Sequence, residues 1–246
     1  MKALIFDCDG VLVDSERDGH RVAFNQAFAQ QGLKVEWDVD QYGRLLSVGG
    51  GKERMCHYFD SHGWPPNVSD PMVLINRLHK RKTDLFMQIV EGGKLPLRSG
   101  IRRLVDEAAR DGILLAVCST SNERSVNLIV EKLLGAERKA QFKAILAGDI
   151  AARKKPDPAI YHLALERLGV KGAECVVVED SRNGLLAAKA AGMHCLVTIS
   201  AYTAHEDFGE ADRVVNELGD PPGQIITLAD LKQLAAEGRP GNSGKI

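Results

Sequence analysis

The stretch KALIFDCDGVLVD, Lys2 to Asp14, passes from an apolar run straight into three aspartates, Asp7, Asp9 and Asp14. KALIF reads as a short buried strand, brief and apolar with polar residues at its ends. Asp7 and Asp9 follow at i and i+2. Side chains two apart leave an extended chain on the same side, so both carboxylates face one point beyond the strand's carboxyl end. In open α/β sheets ligands bind at that end. Like charges gathered there cost free energy, so the stretch calls for a partner that offsets them.

Four further stretches read as buried strands: GILLAVCST (Gly112 to Thr120), KAILAG (Lys143 to Gly148), ECVVVED (Glu174 to Asp180) and HCLVT (His194 to Thr198). Helical patterns lie between them. GIRRLVDEAARDG has apolar residues at 101, 104, 105 and 108, the spacing of one helix face. DPAIYHLALERLG opens with Asp157 as N-cap and Pro158 in the first helical position, and ends on Gly169. SRNGLLAAKAAG opens with Ser181 and closes with Gly192. Strands alternating with helices predict an α/β fold, a doubly wound parallel sheet with right-handed crossovers. From about Ser15 to Pro96 the alternation stops. HRVAFNQAFAQQG, GKERMCHYF and DPMVLINRLHKRKTDLFMQIVEGG are helical, and no strand pattern interrupts them. This predicts a helical insert over 15–96 between core segments 1–14 and 97–235. The polar, Gly- and Pro-containing tail, 236–246, is expected to be flexible.

The chain has 246 residues, 44% hydrophobic and 26% charged, with 32 basic against 33 acidic residues and a net charge of −1. That balance gives no broad basic footprint for nucleic acid or an anionic membrane. No apolar run approaches the roughly 20 residues that span a bilayer. The reading is a soluble monomeric protein of the cytoplasm, or of the plastid stroma where a transit segment has been removed. Five cysteines without a CxxC pair predict reduced thiols, with Cys118, Cys175 and Cys195 buried as small hydrophobes. Cys8 has acidic neighbours, which disfavours thiolate and a nucleophilic role.

A second acidic pair, Glu179 and Asp180, also ends a strand. If that strand neighbours the first, up to four carboxylates converge, and hard oxygen ligands with few His or Cys argue for Mg²⁺. CSTSN (Cys118 to Asn122) puts hydroxyls and free amides at a strand-to-helix turn, a candidate phosphate cradle. KKPDP sets Lys154 and Lys155 before a helix, able to place an ammonium over an anion. Together these suit phosphoryl transfer to an aspartate.

These motifs, in this order, resemble the haloacid-dehalogenase-like hydrolases over nearly the whole chain. FDCDGVLVD matches the first motif, Ser119 the second, Lys155 in KPDP the third, and VVVEDSRNGLLAAKAAGM the fourth. The insert has the position and size of the family's C1 cap domain. Dehalogenases proper lack the second aspartate, so Asp9 with the acidic pair points to a Mg²⁺-dependent phosphatase or phosphomutase. The resemblance implies that Asp7 attacks phosphorus and that Asp9 protonates the leaving oxygen and then activates water. It implies that Asp7, the Asp9 carbonyl and Asp180 hold Mg²⁺, with Glu179 in or just behind the ligand set. Ser119, with Thr120, Ser121 and Asn122 after it, would hold phosphoryl oxygens, and Lys155 would neutralise charge. For Asp9 to deliver a proton its pKa should be raised in the closed site.

Within the family, YGRLLSVGGGKERM (Tyr42 to Met55) and LHKRKTDLF (Leu78 to Phe86) are similar to the CbbY subgroup, especially its form in photosynthetic organisms. That implies hydrolysis of D-xylulose 1,5-bisphosphate to xylulose 5-phosphate, which removes an inhibitor of Rubisco. The residues agree with a doubly anionic sugar. Gly50 and Gly51, after Gly49, let backbone amides approach an anion at a helix start, and Lys52 and Arg54 add charge. His79 and Lys82 share a face of the long helix. Glu16 and His20 are placed to bind sugar hydroxyls, while Trp37 and Trp64 read as cap packing. A β-phosphoglucomutase, a phosphatase for another small ester such as phosphoglycolate, and a non-catalytic sugar-phosphate sensor are the alternatives. The last is expected to have lost Asp7 or Asp9.

Overall fold

The structure, a computed structural model, describes residues 1–66 and 68–237. Six strands form one parallel sheet: β1 (Ala3–Phe6), β2 (Leu114–Ser119), β3 (Phe142–Ala147), β4 (Cys175–Glu179), β5 (His194–Thr198) and β6 (Arg213–Val215). Their order is β3-β2-β1-β4-β5-β6. β1 is therefore central, with β2 in register at Phe6↔Val117 and β4 at Phe6↔Val178. The strand order reverses about β1, which opens a crevice beyond the carboxyl ends of the central strands. Five strands match the sequence expectation. The sixth, β6, went unread because it is a short edge strand with two exposed residues and little apolar signal.

Alternation along each strand divides the core into two layers. Leu4 and Phe6 pack on one face with α5 (Ile101–Arg110), and Ala3 and Ile5 on the other with α8 (Ala159–Leu168) and α9 (Arg182–Ala190). The 101, 104, 105, 108 stripe of α5 is buried, as its spacing requires. α9 is capped by the Ser181 hydroxyl, which accepts from the Gly184 amide. α8 begins one residue later than expected. Pro158 stands at the cap position, and Asp157 instead accepts from the Ala159 amide at 2.9 Å. α10 (Leu228–Glu237) closes the first layer with Leu228 and Leu231. Ala236 and Glu237 are thus helical, where a flexible tail was expected; 238–246 lies outside the described residues.

Between β1 and α5 the chain is helical: a π-helical turn at Glu16–His20, then α1 (Arg21–Gln30), α2 (Val39–Leu45), α3 (Gly51–His62) and α4 (Pro71–Glu91). α4 starts where the sequence predicts, with the Asp70 carboxylate accepting from Met72 and Val73 amides and Pro71 at the first helical position. α2 went unread, since its seven residues are mostly polar. These helices close on their own aromatic core. Trp37 is fully buried against Phe24, Phe28 and Tyr58, with ring centroids 4.9–5.4 Å apart, and Trp64 packs at its margin. An antiparallel bridge joins Val13 to Leu97 where the two crossing segments meet. α6 (Glu123–Ile129) and the short α7 (Ala136–Lys139) complete the chain between β2 and β3. No helix among the described residues is long and apolar enough to cross a membrane. All five cysteines are free, four of them buried, and burial with Asp9 and Asp7 nearby pushes the Cys8 thiol well up.

Candidate active site

A cavity at the carboxyl ends of β1, β2 and β4 is lined by Asp7, Asp9, Ser119, Thr120, Lys155 and Asp180, and on the insert side by Glu16, Gly49 and Arg54. Asp14, the third aspartate of the opening stretch, is not among the lining residues. The pairing of β1 with β4 brings the two acidic pairs together, and oxygens of Asp7, Glu179 and Asp180 lie within 4.8 Å of one another. Gly10 is required here. Its φ is +80°, and a Cβ would overlap the Asp180 carboxylate.

One cation serves two of these carboxylates. Lys155 Nζ donates to Asp7 Oδ1 at 2.7 Å, to Glu179 Oε1 at 2.6 Å and to the Cys118 carbonyl at 2.8 Å. Burial alone would lower the lysine's pKa, but Asp7 and Glu179 outweigh it and keep the ammonium charged. A lone ion pair would depress the Asp7 pKa. Instead it is raised well above 3.8 by burial, against the pull of Lys155, with Glu179 and Asp9 adding repulsion. Asp180 is raised by burial, Asp7 and Glu179, and the Ser200 hydrogen bond offsets only part of this. Three buried carboxylates with one shared lysine leave an excess of negative charge among oxygen donors. That donor set fits a hard divalent cation.

Asp9 differs. Its Oδ1 accepts from the Ser15 hydroxyl and from His20 Nε2 at 2.9 Å, and its Oδ2 accepts from the Ser121 hydroxyl. Burial raises its pKa, but His20 and the three hydrogen bonds outweigh burial and hold it well below the usual carboxylate range. These donors come from the start of the insert and from the turn after β2, so nothing local to FDCDGVLVD announces them. Behind His20, Lys82 Nζ lies 2.8 Å from Nδ1. An ammonium only donates, so Nδ1 accepts and Nε2 carries the hydrogen that points at Asp9.

The remaining predicted residues separate into groups. Arg54 reaches the Asp7 cavity and is braced by Tyr42 Oη at 3.0 Å and the Leu45 and Val48 carbonyls at 3.1 and 3.2 Å; Tyr42 in turn donates to Glu16. Gly50, Gly51, Lys52, His79 and Asn122 line a neighbouring cavity, and Thr120 borders both. Lys52 pairs there with Asp149 at 2.5 Å. Burial, with Lys82 and Lys52 nearby, pushes His79 down to about 3, so it is neutral at physiological pH and supplies no cation. Asn122 caps α6, accepting from the Arg124 amide at 3.0 Å. Lys82 is buried under His20 and lines neither of these two cavities. Ser121 turns its hydroxyl to Asp9, and its amide donates to Ser119 Oγ at 3.1 Å. Sequence reasoning missed Ser15, Tyr42 and Tyr161. Tyr42 opens the YGRLLSVGGGKERM stretch and Tyr161 lies in the first turn of the helix after KKPDP, whereas Ser15 had no signal.

A family model described as haloacid dehalogenase-like hydrolase matches residues 1–192. A CBBY-like protein of Arabidopsis thaliana is 57% identical over 231 residues, covering 92% of this chain and 72% of that protein. The crystal structure of CbbY from Rhodobacter sphaeroides in complex with phosphate superposes with a TM-score of 0.85 at 40% identity, covering 94% of this chain and 99% of that one. A mutant of the Rhodobacter sphaeroides protein, in complex with xylulose-(1,5)bisphosphate, gives 0.83 at 40% identity, covering 92% and 100%. The family model over residues 1–192, the common fold and this level of identity over almost the full length make the chain a member of the haloacid dehalogenase-like hydrolases, a phosphatase of their CbbY group.

Proposed function

We propose that the chain hydrolyses D-xylulose 1,5-bisphosphate to xylulose 5-phosphate and phosphate through an aspartyl phosphate on Asp7. The observation that carries this reading is Arg54, buried and braced, facing the Asp7 cavity from the insert side. One phosphate goes to the core carboxylates and Lys155, and a fixed guanidinium opposite suits a second. The complex of the Rhodobacter sphaeroides protein with that bisphosphate supports the substrate.

Asp7, Asp180 and the Asp9 carbonyl would hold Mg²⁺, which when bound neutralises carboxylate and phosphate charge. Glu179, already tied to Lys155, stands behind them. Asp7 attacks phosphorus while the sugar oxygen leaves with a proton from Asp9. Water then attacks the phosphoryl group, gives its proton to Asp9 and frees Asp7. The donors around Asp9 keep it ionised, the state that the second step needs. For the first, entry of the substrate must displace one of its three donors. Ser119 and Thr120 orient phosphoryl oxygens, and Lys155 stays charged beside the nucleophile. Lys82 acts through His20 on Asp9. Glu16, with Lys52 and the Gly50–Gly51 amides in the adjoining cavity, would meet the sugar and the distal phosphate. Residues 15–96 are the cap and 1–14 with 97–237 the core. The working form is a monomer in the cytoplasm or plastid stroma.

The test is phosphate release with Mg²⁺ from xylulose 1,5-bisphosphate, ribulose 1,5-bisphosphate, fructose 1,6-bisphosphate, β-glucose 1-phosphate and phosphoglycolate, with Asp7→Asn as the blank. A kcat/KM at least ~100-fold higher on the first, about 2.7 kcal/mol of discrimination, is expected. Flat activity would sink the substrate assignment. Isomerisation of β-glucose 1-phosphate without phosphate release would favour the mutase.

A further inference from the structure

Tyr161 is fully buried in the first turn of α8, within the apolar layer on one face of the sheet. Its ring packs with that layer, but its hydroxyl does not end in it. The hydroxyl donates to Glu179 Oε1, the same oxygen that accepts from Lys155 Nζ at 2.6 Å. The Lys155 ammonium also lies over the Tyr161 ring, 5.0 Å from its centroid. The other Glu179 oxygen faces the Asp180 amide at 3.3 Å, and Gly184 leaves the space in which the carboxylate sits, since a Cβ there would overlap it. One phenol therefore touches both partners of a buried ion pair, through its edge and through its face.

We infer that Tyr161 is a positioning residue for phosphoryl transfer. It fixes Glu179 Oε1 as the counter-ion of Lys155 and keeps the ammonium on Asp7 Oδ1. With Lys155 as its single donor, Oε1 can shift about the ammonium while Oε2 keeps the Asp180 amide. Two donors at fixed angles hold it in one orientation, and the cation over the ring adds a second restraint on Lys155. Because the nucleophile, the lysine and the transferring phosphoryl group must stay aligned, loss of this restraint falls on the transition state rather than on ground-state binding. The inference rests on the proposed roles of Asp7 and Lys155.

The test compares Tyr161→Phe with wild type on p-nitrophenyl phosphate, so that a failed substrate assignment does not touch the result. Phe keeps the ring in the layer, and thermal unfolding checks the fold. The expected result is a kcat 10- to 100-fold lower, a KM within 2-fold, a vanadate inhibition constant raised by a similar factor to the loss in kcat, and a Tm within a few degrees. In a Glu179→Gln background the same substitution should cost less than 2-fold, because the partner it acts through has changed. An unchanged kcat, a loss that is additive with Glu179→Gln, or a lower Tm with kcat intact would overturn the inference and leave Tyr161 a packing residue. Turnover that survives Asp7→Asn would instead overturn the role assigned to Asp7, a separate failure.

Discussion

Lys155 Nζ lies 2.7 Å from Asp7 Oδ1 across 148 residues of sequence, and the same ammonium holds Glu179 at 2.6 Å. All three side chains are buried. Removing the lysine leaves two buried carboxylates without their cation. Lys155→Met should abolish turnover and cost about 3–5 kcal/mol of stability, the usual penalty for breaking a buried ion pair from one side. Urea unfolding reads the second effect independently of activity.

The excess carboxylates make a pH prediction with a definite sign. Asp7 and Asp180 are held above 3.8, chiefly by burial. In the metal-free protein each keeps a proton at pH values where the unfolded chain has already lost it. Their contribution to stability therefore falls as pH rises from 3.8 through the raised folded values. Asp180→Asn removes one of these charges without breaking an ion pair. In EDTA near pH 7.5 this variant should melt higher than wild type, and Mg²⁺ should raise its Tm less. A variant that melts lower in EDTA would contradict the crowding argument.

Lys82 gives the opposite slope. Burial pushes its pKa down from 10.5 to about 8, against the pull of Glu16 and Asp9. Between those values the unfolded chain holds a proton that the fold has released, so stability should rise with pH from 8 to 10.5, by up to about 3 kcal/mol. Lys82→Met should flatten that rise in denaturation curves taken across the window.

Asp149 competes for Lys52. It bridges Lys52 at 2.5 Å and Lys154 at 3.0 Å across the gap between α3 and the turn after β3. Both bonds are partly exposed and worth little to stability. If Lys52 meets the distal phosphate, Asp149→Ala should lower KM for the bisphosphate several-fold, leave a monophosphate unchanged and shift Tm by under 2 °C, about what an exposed pair is worth. Equal effects on both esters would remove Lys52 from the distal site.

Much of this protein was legible along the chain because the deciding signals are local. Short apolar runs ending in Asp7, Ser119 and Glu179–Asp180 announce strands with chemistry at one end, and helix caps at Asp70 and Ser181 lie within three residues of the amides they serve. What each polar side chain does with its hydrogen bonds was not local. Nothing in the sequence separates Asp7, crowded by Glu179 and Asp180, from Asp9, wrapped by Ser15, His20 and Ser121. Nor does it turn Lys82 away from the cavity while Arg54 enters it, or distinguish Tyr161 from the core residues beside it. The register of β1 against β4, the neighbouring turn after β2 and the packing of the insert against the end of β1 decide those pairings. A buried polar group must find its partner wherever packing sets one down, often more than a hundred residues away.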